Sequence, residues 1–256
     1  MYSALRRKKV FVMSLLPGER VDVLASRNIK IIQSSAVFSF SLDAVLLANF
    51  AQVKRHSRVV DLAAGNGAVG LFLARDTDQQ VTMVELQPRL ADMAKRSVAL
   101  NQLQNVTVQV GDLADATQMV AKDSVDIVTC NPPYFKVSSQ SITNPNDHLA
   151  LARHELTTDF ATVARVSADL LKYQGKAFYV HRPERLAELL TTLTVVGLAP
   201  KRLQFIHPRE DREANMVLIE AIKAGRPNGI RIMPPLIVHE ADGTYSSSVR
   251  RLLNGD

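Results

Sequence analysis

The chain has 256 residues, of which 46% are apolar and 22% are charged, proportions typical of a globular protein with one large domain. Its single cysteine, Cys130, excludes an internal disulfide framework, and no cysteine pair or His/Cys cluster indicates a metal site. This cysteine usage leads us to expect a cytoplasmic protein, and the sequence lacks a run of the ~18 apolar residues needed to span a membrane. The net charge of +6 allows an anionic partner.

Strand and helix patterns alternate along residues 58–222. Short apolar runs predict seven strands, at residues 58–62, 81–85, 106–110, 125–130, 177–180, 203–207 and 216–222. Helical patterns cover residues 68–74, a segment opened by Pro88, residues 158–171 and a segment opened by Pro183. This alternation predicts an α/β fold with a doubly wound, mostly parallel seven-stranded sheet. The last two strands are close in sequence, so we expect an antiparallel last strand.

The segments outside this core differ from it in composition. We divide the chain into an N-terminal extension (1–57), a core (58–222) and a C-terminal surface tail (223–256). The extension holds a predicted strand at 29–33 and a predicted helix at 43–50. The tail is rich in Gly and Pro, and we expect it to lie extended. A polar loop at 136–150 is predicted to be a mobile substrate flap.

A glycine-rich loop, Gly65-Asn66-Gly67, follows the first core strand and opens a helix. Glycines let the backbone turn tightly and approach a ligand, and the start of the helix presents unpaired N–H groups. Glu85 ends the second strand, where it can accept hydrogen bonds from ribose hydroxyls. Alone, this pattern indicates a nucleotide-like cofactor, since nicotinamide and flavin proteins share it.

Two carboxylates favour a ligand other than a dinucleotide. Asp61 would repel a pyrophosphate, but it could bind the ammonium of a methionine moiety. Asp112 closes the third strand, where it could accept from the exocyclic amine of an adenine. These spacings resemble the class I S-adenosylmethionine-dependent methyltransferases. The resemblance implies a Rossmann-like fold and S-adenosylmethionine as cofactor, with the methionine portion at the glycine loop, the ribose at Glu85 and the adenine at Asp112.

The tetrapeptide Asn131-Pro132-Pro133-Tyr134 ends the fourth strand. The exocyclic amine of adenine is a poor nucleophile, because its lone pair is delocalised into the ring. The side-chain oxygen of Asn131 can accept one amine proton and the carbonyl of Pro132 the other. The two prolines stiffen the loop, and Tyr134 offers a ring on which an extruded base can stack. We interpret these four residues as catalytic, with no need for a nucleophilic side chain.

Further segments resemble the bacterial tRNA adenine-N6 methyltransferases that act next to the anticodon of a valine tRNA. They are residues 33–47, Arg153-His154-Glu155 and residues 233–245. The resemblance implies that Phe38 and Asp43, in the extension, cover the cofactor. The glycine loop reads Ala-Ala-Gly-Asn-Gly, where the family more often has Gly-Thr-Gly. The predicted cofactor site comprises Phe38, Asp43, Asp61, Gly65, Asn66, Gly67, Glu85, Leu86, Asp112, Leu113 and Asn131.

The tetrapeptide alone leaves the substrate open. Related methyltransferases with this motif modify either adenine in nucleic acid, including ribosomal RNA and DNA, or a glutamine side-chain amide in a protein. The absence of a separate N-terminal helical domain disfavours the protein substrate. Outside this class, a nicotinamide-dependent oxidoreductase and a non-catalytic RNA-binding module are the alternatives.

The distribution of charge favours tRNA as the partner. Residues 1–57 carry nine Lys/Arg against three Asp/Glu, residues 58–171 nine against thirteen, and residues 172–212 eight against four. Basic flanks of this kind suit a phosphate backbone, although solvated surface helices give a similar pattern. The predicted phosphate contacts are Lys201, Arg202, Arg209, Arg212, Arg250 and Arg251. The sequence does not indicate an oligomeric state.

Overall fold

The structure is a computed structural model that describes residues 15–34, 42–132 and 159–254. Its strands are β1 (Glu19–Leu24), β2 (Ile29–Ser34), β3 (Val59–Leu62), β4 (Val81–Glu85), β5 (Val106–Val110), β6 (Val125–Cys130), β7 (Leu171–His181), β8 (Leu198–His207), β9 (Met216–Lys223), β10 (Arg231–Ile232) and β11 (Leu236–Ile237). Its α-helices are α1 (Leu42–Ala51), α2 (Ala68–Leu73), α3 (Pro88–Leu100), α4 (Ala116–Met119), α5 (Phe160–Leu170), α6 (Leu186–Val195) and α7 (Ser247–Asn254). The predicted flap at 136–150 lies outside the described residues.

The predicted core strands form one sheet in the order β5-β4-β3-β6-β7-β9-β8. Strands β3 to β7 are parallel, and β9 lies antiparallel between β7 and β8. This confirms the doubly wound, mostly parallel sheet and its antiparallel last strand. The two-residue strands β10 and β11 pair with β8 and bring this sheet to nine strands within the described residues.

Two apolar layers enclose the sheet, because successive residues of a strand point to opposite faces. Val59 and Ile127 pack with α1, α2 and α3 on one face. Val60 and Val128 pack with α5 and α6 on the other. Strands covered on both faces read as continuous apolar runs, which is why the sequence pattern identified them.

The N-terminal extension contributes a separate antiparallel hairpin, β1–β2, which packs against α3. The buried side chain of Glu19 accepts hydrogen bonds from both terminal nitrogens of Arg96, at 2.6 and 2.7 Å. These bonds lower the pKa of Glu19 and raise that of Arg96. A charge-assisted pair of this geometry fixes the hairpin on the core.

The tail is more ordered than its composition predicted. It adds β10 and β11 to the sheet edge. It also contains the helix α7, whereas we had expected an extended tail. Val249 is fully buried, and Leu252 and Leu253 pack on the same apolar layer as α1. Their spacing of three and four residues places them on one helical face. No helix within the described ranges has the length and apolarity needed to cross a bilayer.

The topology creates a crevice at one edge of the sheet. The chain runs outward from β3 to β4 and β5, then returns to the other side of β3 as β6. In open α/β sheets, ligands bind where the strand order reverses in this way, beyond the carboxyl ends of the strands. The glycine loop after β3 and Asn131 after β6 meet at this point.

Candidate active site

The glycine loop between β3 and α2 adopts a backbone conformation that favours glycine. Gly65 and Gly67 have φ angles of 59° and 90°, in the left-handed region that side-chain-bearing residues rarely adopt. A Cβ atom at Gly67 would lie 3.1 Å from both the Cβ of Ala94 and the Sδ of Met83. The loop therefore packs closely on α3 and β4 at the carboxyl edge of the sheet.

Asp61 lies buried in β3 beneath this loop. Its Oδ1 accepts a hydrogen bond from the hydroxyl of Thr129 at 2.7 Å, and its Oδ2 accepts from the N–H of Gly70 at 3.1 Å. Burial raises the pKa of the carboxyl to about 7, against the lowering effect of these two bonds. Asp61 also lines a cavity of about 50 Å³ together with Gly65 and Asn131.

Glu85 lies at the end of β4 and is bound to the glycine loop. Its Oε2 accepts from the N–H of Gly65 at 2.7 Å, and its Oε1 accepts from the N–H of Gln87 at 2.8 Å. Burial is the largest cause that raises the pKa of this carboxyl. Each carboxylate oxygen has a second lone pair, so Glu85 can still accept from ligand hydroxyls.

Asp112 follows β5 and faces the same corner as Glu85. Its Oδ1 accepts from the N–H of Ala114 at 2.8 Å, which caps a short 3-10 turn. Apolar and acidic groups together line a small pocket at this corner. The lining residues are Ala63, Val84, Glu85, Leu86, Gly111, Asp112 and Leu113. The predicted residues of the nucleoside half are therefore brought together.

The parallel pairing of β3 and β6 brings Asn131 beside the glycine loop. Leu62 is opposite Cys130 in this register, so the next residue on each strand enters the same crevice. Asn131 is half-buried, and Pro132 is buried. The predicted catalytic residues Pro133 and Tyr134 lie outside the described residues, as does the predicted cofactor residue Phe38.

Two further predicted cofactor residues, Asp43 and Asn66, are buried. Asp43 lies in the first turn of α1 and is 9% exposed, and its neighbour Ala44 lines the cavity that contains Asn131. Asn66 is 1% exposed, and its side-chain amide donates to the carbonyl oxygen of Ile32 at 3.1 Å. The side chain of Asn66 therefore binds β2.

Three polar residues near the carboxyl edge of the sheet were not assigned to the site from the sequence. Thr129 fixes Asp61, and no sequence signal marks it. The Oε1 of Gln87 is buried without a hydrogen-bond partner among the described residues, and the backbone N–H of Gln87 donates to Glu85. His181 ends β7 beside β6, and burial lowers its pKa to about 4, so the imidazole is neutral at pH 7.

Arg202 departs from its predicted role as a phosphate contact. Its guanidinium is buried, lies 2.7 Å from the Glu220 carboxylate and donates to the carbonyl of Phe50 at 2.7 Å. It also lies 4.0 Å from the centre of the Phe50 ring. Burial of a charge requires such a set of partners, so Arg202 belongs to the interior of the fold.

The remaining predicted phosphate contacts lie nearer the surface. The Lys201 ammonium donates to the carbonyls of Arg226 and Asn228. Arg209 and Arg212 are exposed beyond the carboxyl end of β8, and Arg212 lies 3.8 Å from Asp211. Arg250 and Arg251 are exposed on α7. Three strand spacings separate β8 from β6, which places the Arg209 loop about 14 Å from the line of Asn131.

The donors and acceptors in the crevice suit a nucleoside that carries an amino-acid arm. Glu85 offers acceptors to hydroxyl groups, and Asp112 offers one to an amine. Asp61 supplies a carboxylate, and the glycine loop lets the backbone come close to a ligand. Within the residues described, no group of three or more His, Cys, Asp and Glu side chains could hold a metal ion.

Comparisons with known proteins identify related chains. The sequence model of the family described as "Methyltransferase small domain" matches residues 28–184. A tRNA1(Val) (adenine(37)-N6)-methyltransferase from Aeromonas hydrophila is 30% identical over 207 residues, which cover 80% of this chain and 84% of that protein. A protein of the same name from Phocaeicola vulgatus is 27% identical over 177 residues, covering 69% and 74%.

A solved structure shares the fold. The crystal structure of a protein described as a predicted O-methyltransferase, from Agrobacterium tumefaciens, matches with a TM-score of 0.66 at 25% identity. The match covers 83% of this chain and 95% of that one.

Proposed function

Since the chain belongs to the methyltransferase small-domain family and is an S-adenosylmethionine-dependent methyltransferase, we propose that it methylates the exocyclic N6 amine of an adenine in tRNA, next to the anticodon. One observation carries the proposal. Asn131 and Pro132 directly follow β6, and Asn131 lines a cavity that Asp61 and Gly65 of the glycine-loop region also line. An amide and a proline carbonyl at this position suit a planar amine substrate. The relatives' names support tRNA as its source.

The geometry of the crevice supports an assignment of the cofactor residues. S-adenosylmethionine supplies an electrophilic methyl group on a sulfonium sulfur. Glu85 would accept from its ribose hydroxyls and Asp112 from its adenine amine. Asp61 and the glycine loop would hold its methionine portion, and Asp43, with Phe38, would cover it.

The chemistry asks little of the protein beyond placement. The side-chain oxygen of Asn131 and the carbonyl oxygen of Pro132 would accept hydrogen bonds from the two N–H groups of the amine and orient its nitrogen toward the methyl group. Bound S-adenosylmethionine would supply the methyl carbon, whose bond to sulfur would break as the bond to nitrogen forms, and the amine would lose one proton to water. Holding both reactants in one crevice supplies much of the acceleration, because a bimolecular step becomes effectively unimolecular.

The tRNA backbone would lie across the carboxyl edge of the sheet. Arg209 and Arg212 are exposed at this edge, and Arg250 and Arg251 are exposed on α7, whereas Lys201 is bound to backbone carbonyls. Phosphate contacts of this kind position a nucleic acid without reading its sequence. A tRNA substrate implies that the enzyme acts in the cytoplasm.

The test is methyl transfer from labelled S-adenosylmethionine to separate pools of unmodified tRNA, ribosomal RNA, DNA and protein. We expect N6-methyladenosine in tRNA by nucleoside mass spectrometry. Label in the protein pool alone would indicate glutamine methylation. Label only in ribosomal RNA or DNA would keep the chemistry and reject tRNA.

The variant Asn131→Ala tests the role of Asn131 in the same assay. We expect it to lower kcat by at least 100-fold, because one of the two acceptors for the amine is lost. Its affinity for S-adenosylhomocysteine, measured by calorimetry, should stay within about threefold of wild type. Full activity in this variant would reject the role of Asn131 in orienting the amine.

A further inference from the structure

The outer edge of β2 is paired with side chains instead of another strand. The backbone of Lys30 donates to the Oδ1 of Asn101 at 2.9 Å and accepts from its Nδ2 at 2.5 Å. The N–H of Ile32 donates to the Oγ of Ser97 at 2.9 Å, and the Ile32 carbonyl accepts from Asn66. These groups point away from β1, so core side chains satisfy an edge that would otherwise be left unpaired.

Asn66 differs from the other two residues in where it lies. Ser97 and Asn101 belong to the end of α3, whereas Asn66 stands between the two left-handed glycines of the cofactor loop. On its other side, the loop is held by the bond from the Gly65 N–H to Glu85. The loop is therefore fixed from two directions, by β4 through Glu85 and by β2 through Asn66.

We propose that Asn66 is a positioning residue that sets the conformation of the cofactor loop through the carbonyl of Ile32. Glycines on both sides give this segment unusual backbone freedom, so a side-chain anchor between them restricts the peptide groups that face the cofactor. The proposal rests on the proposed function, because it assigns the loop to S-adenosylmethionine. If Asn66 anchors the loop to β2, tight cofactor binding requires that the N-terminal hairpin is docked on the core.

Asn101→Ala provides a matched control for Asn66→Ala. Both variants remove a buried or half-buried amide that binds the same edge of β2, but Asn101 lies outside the loop. We expect both to lower Tm by a few degrees. Only Asn66→Ala should raise the Kd for S-adenosylhomocysteine, by roughly tenfold, since the Ile32 carbonyl loses its donor and the loop loses its anchor.

Steady-state kinetics separate positioning from a general loss of stability. In Asn66→Ala we expect the KM for S-adenosylmethionine to rise by about tenfold while kcat at saturation stays near wild type, because Asn131 is unchanged. Asn66→Ser keeps a hydroxyl donor and should show a smaller rise. It also serves as the test variant if Asn66→Ala does not fold.

Two results would overturn the inference. Wild-type affinity in Asn66→Ala would show that the loop needs no anchor, and equal losses of affinity in Asn66→Ala and Asn101→Ala would assign Asn66 a purely structural role. Failure of the wild-type protein to bind S-adenosylhomocysteine would instead reject the cofactor assignment, and this inference with it.

Discussion

At the scale of single residues, the candidate site contains two buried carboxyl groups whose pKa values are set by burial and by their hydrogen bonds. Asp61 and Glu85 both have raised pKa values, because burial outweighs the hydrogen bonds that each accepts. Both also bind backbone N–H groups of the glycine loop or of α2. Their ionisation therefore affects the hydrogen bonds that hold the glycine loop and the start of α2.

The pH dependence of stability should report on Asp61. Its pKa rises from 3.8 to about 7 on folding, so the folded state holds the proton more tightly. Stability from this group is present below pH 4 and is lost as the pH rises toward 7, by at most about 4 kcal/mol. Chemical denaturation at several pH values should show wild type losing stability relative to Asp61→Asn across this window.

The comparison with Asp61→Asn removes the contributions of other groups. Glu85 changes stability in the same direction, whereas His181, whose pKa falls to about 4, favours the folded state as the pH rises through 4 to 6.5. Both are present in wild type and variant. A constant difference between the two proteins from pH 4 to 8 would contradict the raised pKa of Asp61.

At the scale of elements, close packing of α2 on β4 determines where the glycine loop lies. A Cβ atom at Gly70 would come within 2.5 Å of the Cε of Met83 and 2.8 Å of its Cγ. The end of a methionine side chain can move, but its Cγ is fixed close to the strand. Gly70 is therefore required for the helix to approach the sheet.

Gly70→Ala should lower the free energy of unfolding by about 1–3 kcal/mol, because it overpacks this contact. Urea denaturation measures the loss. Met83→Val shortens the facing side chain, so the double variant should lose less than the sum of the two single variants. Strict additivity would indicate that the two side chains do not compete for the same space.

At the scale of the whole molecule, one buried ion pair connects distant parts of the chain. Arg202 in β8 binds Glu220 in β9 and reaches the end of α1 through the carbonyl and ring of Phe50. Lys176 in β7 also pairs with Glu220, at 2.8 Å. This cluster joins three strands of the sheet to the helix that leads into β3.

Arg202→Ala should lower the free energy of unfolding by about 3 kcal/mol, because it leaves Glu220 buried with one partner fewer. Thermal unfolding checks this expectation. Arg209→Ala, an exposed arginine beyond the end of the same strand, should leave Tm unchanged. Equal stability of the two variants would mean that the buried pair contributes no more than a surface charge.

Local sequence patterns were sufficient for the seven core strands, the glycine loop and the placement of Asn131. Apolar runs, glycines and prolines act on neighbouring residues, so their effect can be read over a few positions. The short strands β10 and β11 and helix α7 were missed, because contacts with β8 and α1 stabilise them more than their own composition does.

The amino-acid sequence by itself determined the order of the core elements and the chemical groups that meet at the carboxyl edge of the sheet. Only the tertiary structure decided which polar side chains face that crevice and which satisfy the interior. The sequence predicted both Arg202 and Asn66 to contact a ligand. In the structure they bind Glu220 and Ile32, which lie 18 and 34 residues away along the chain. Such pairings follow from burial, which requires each polar group to find a partner wherever the fold places one.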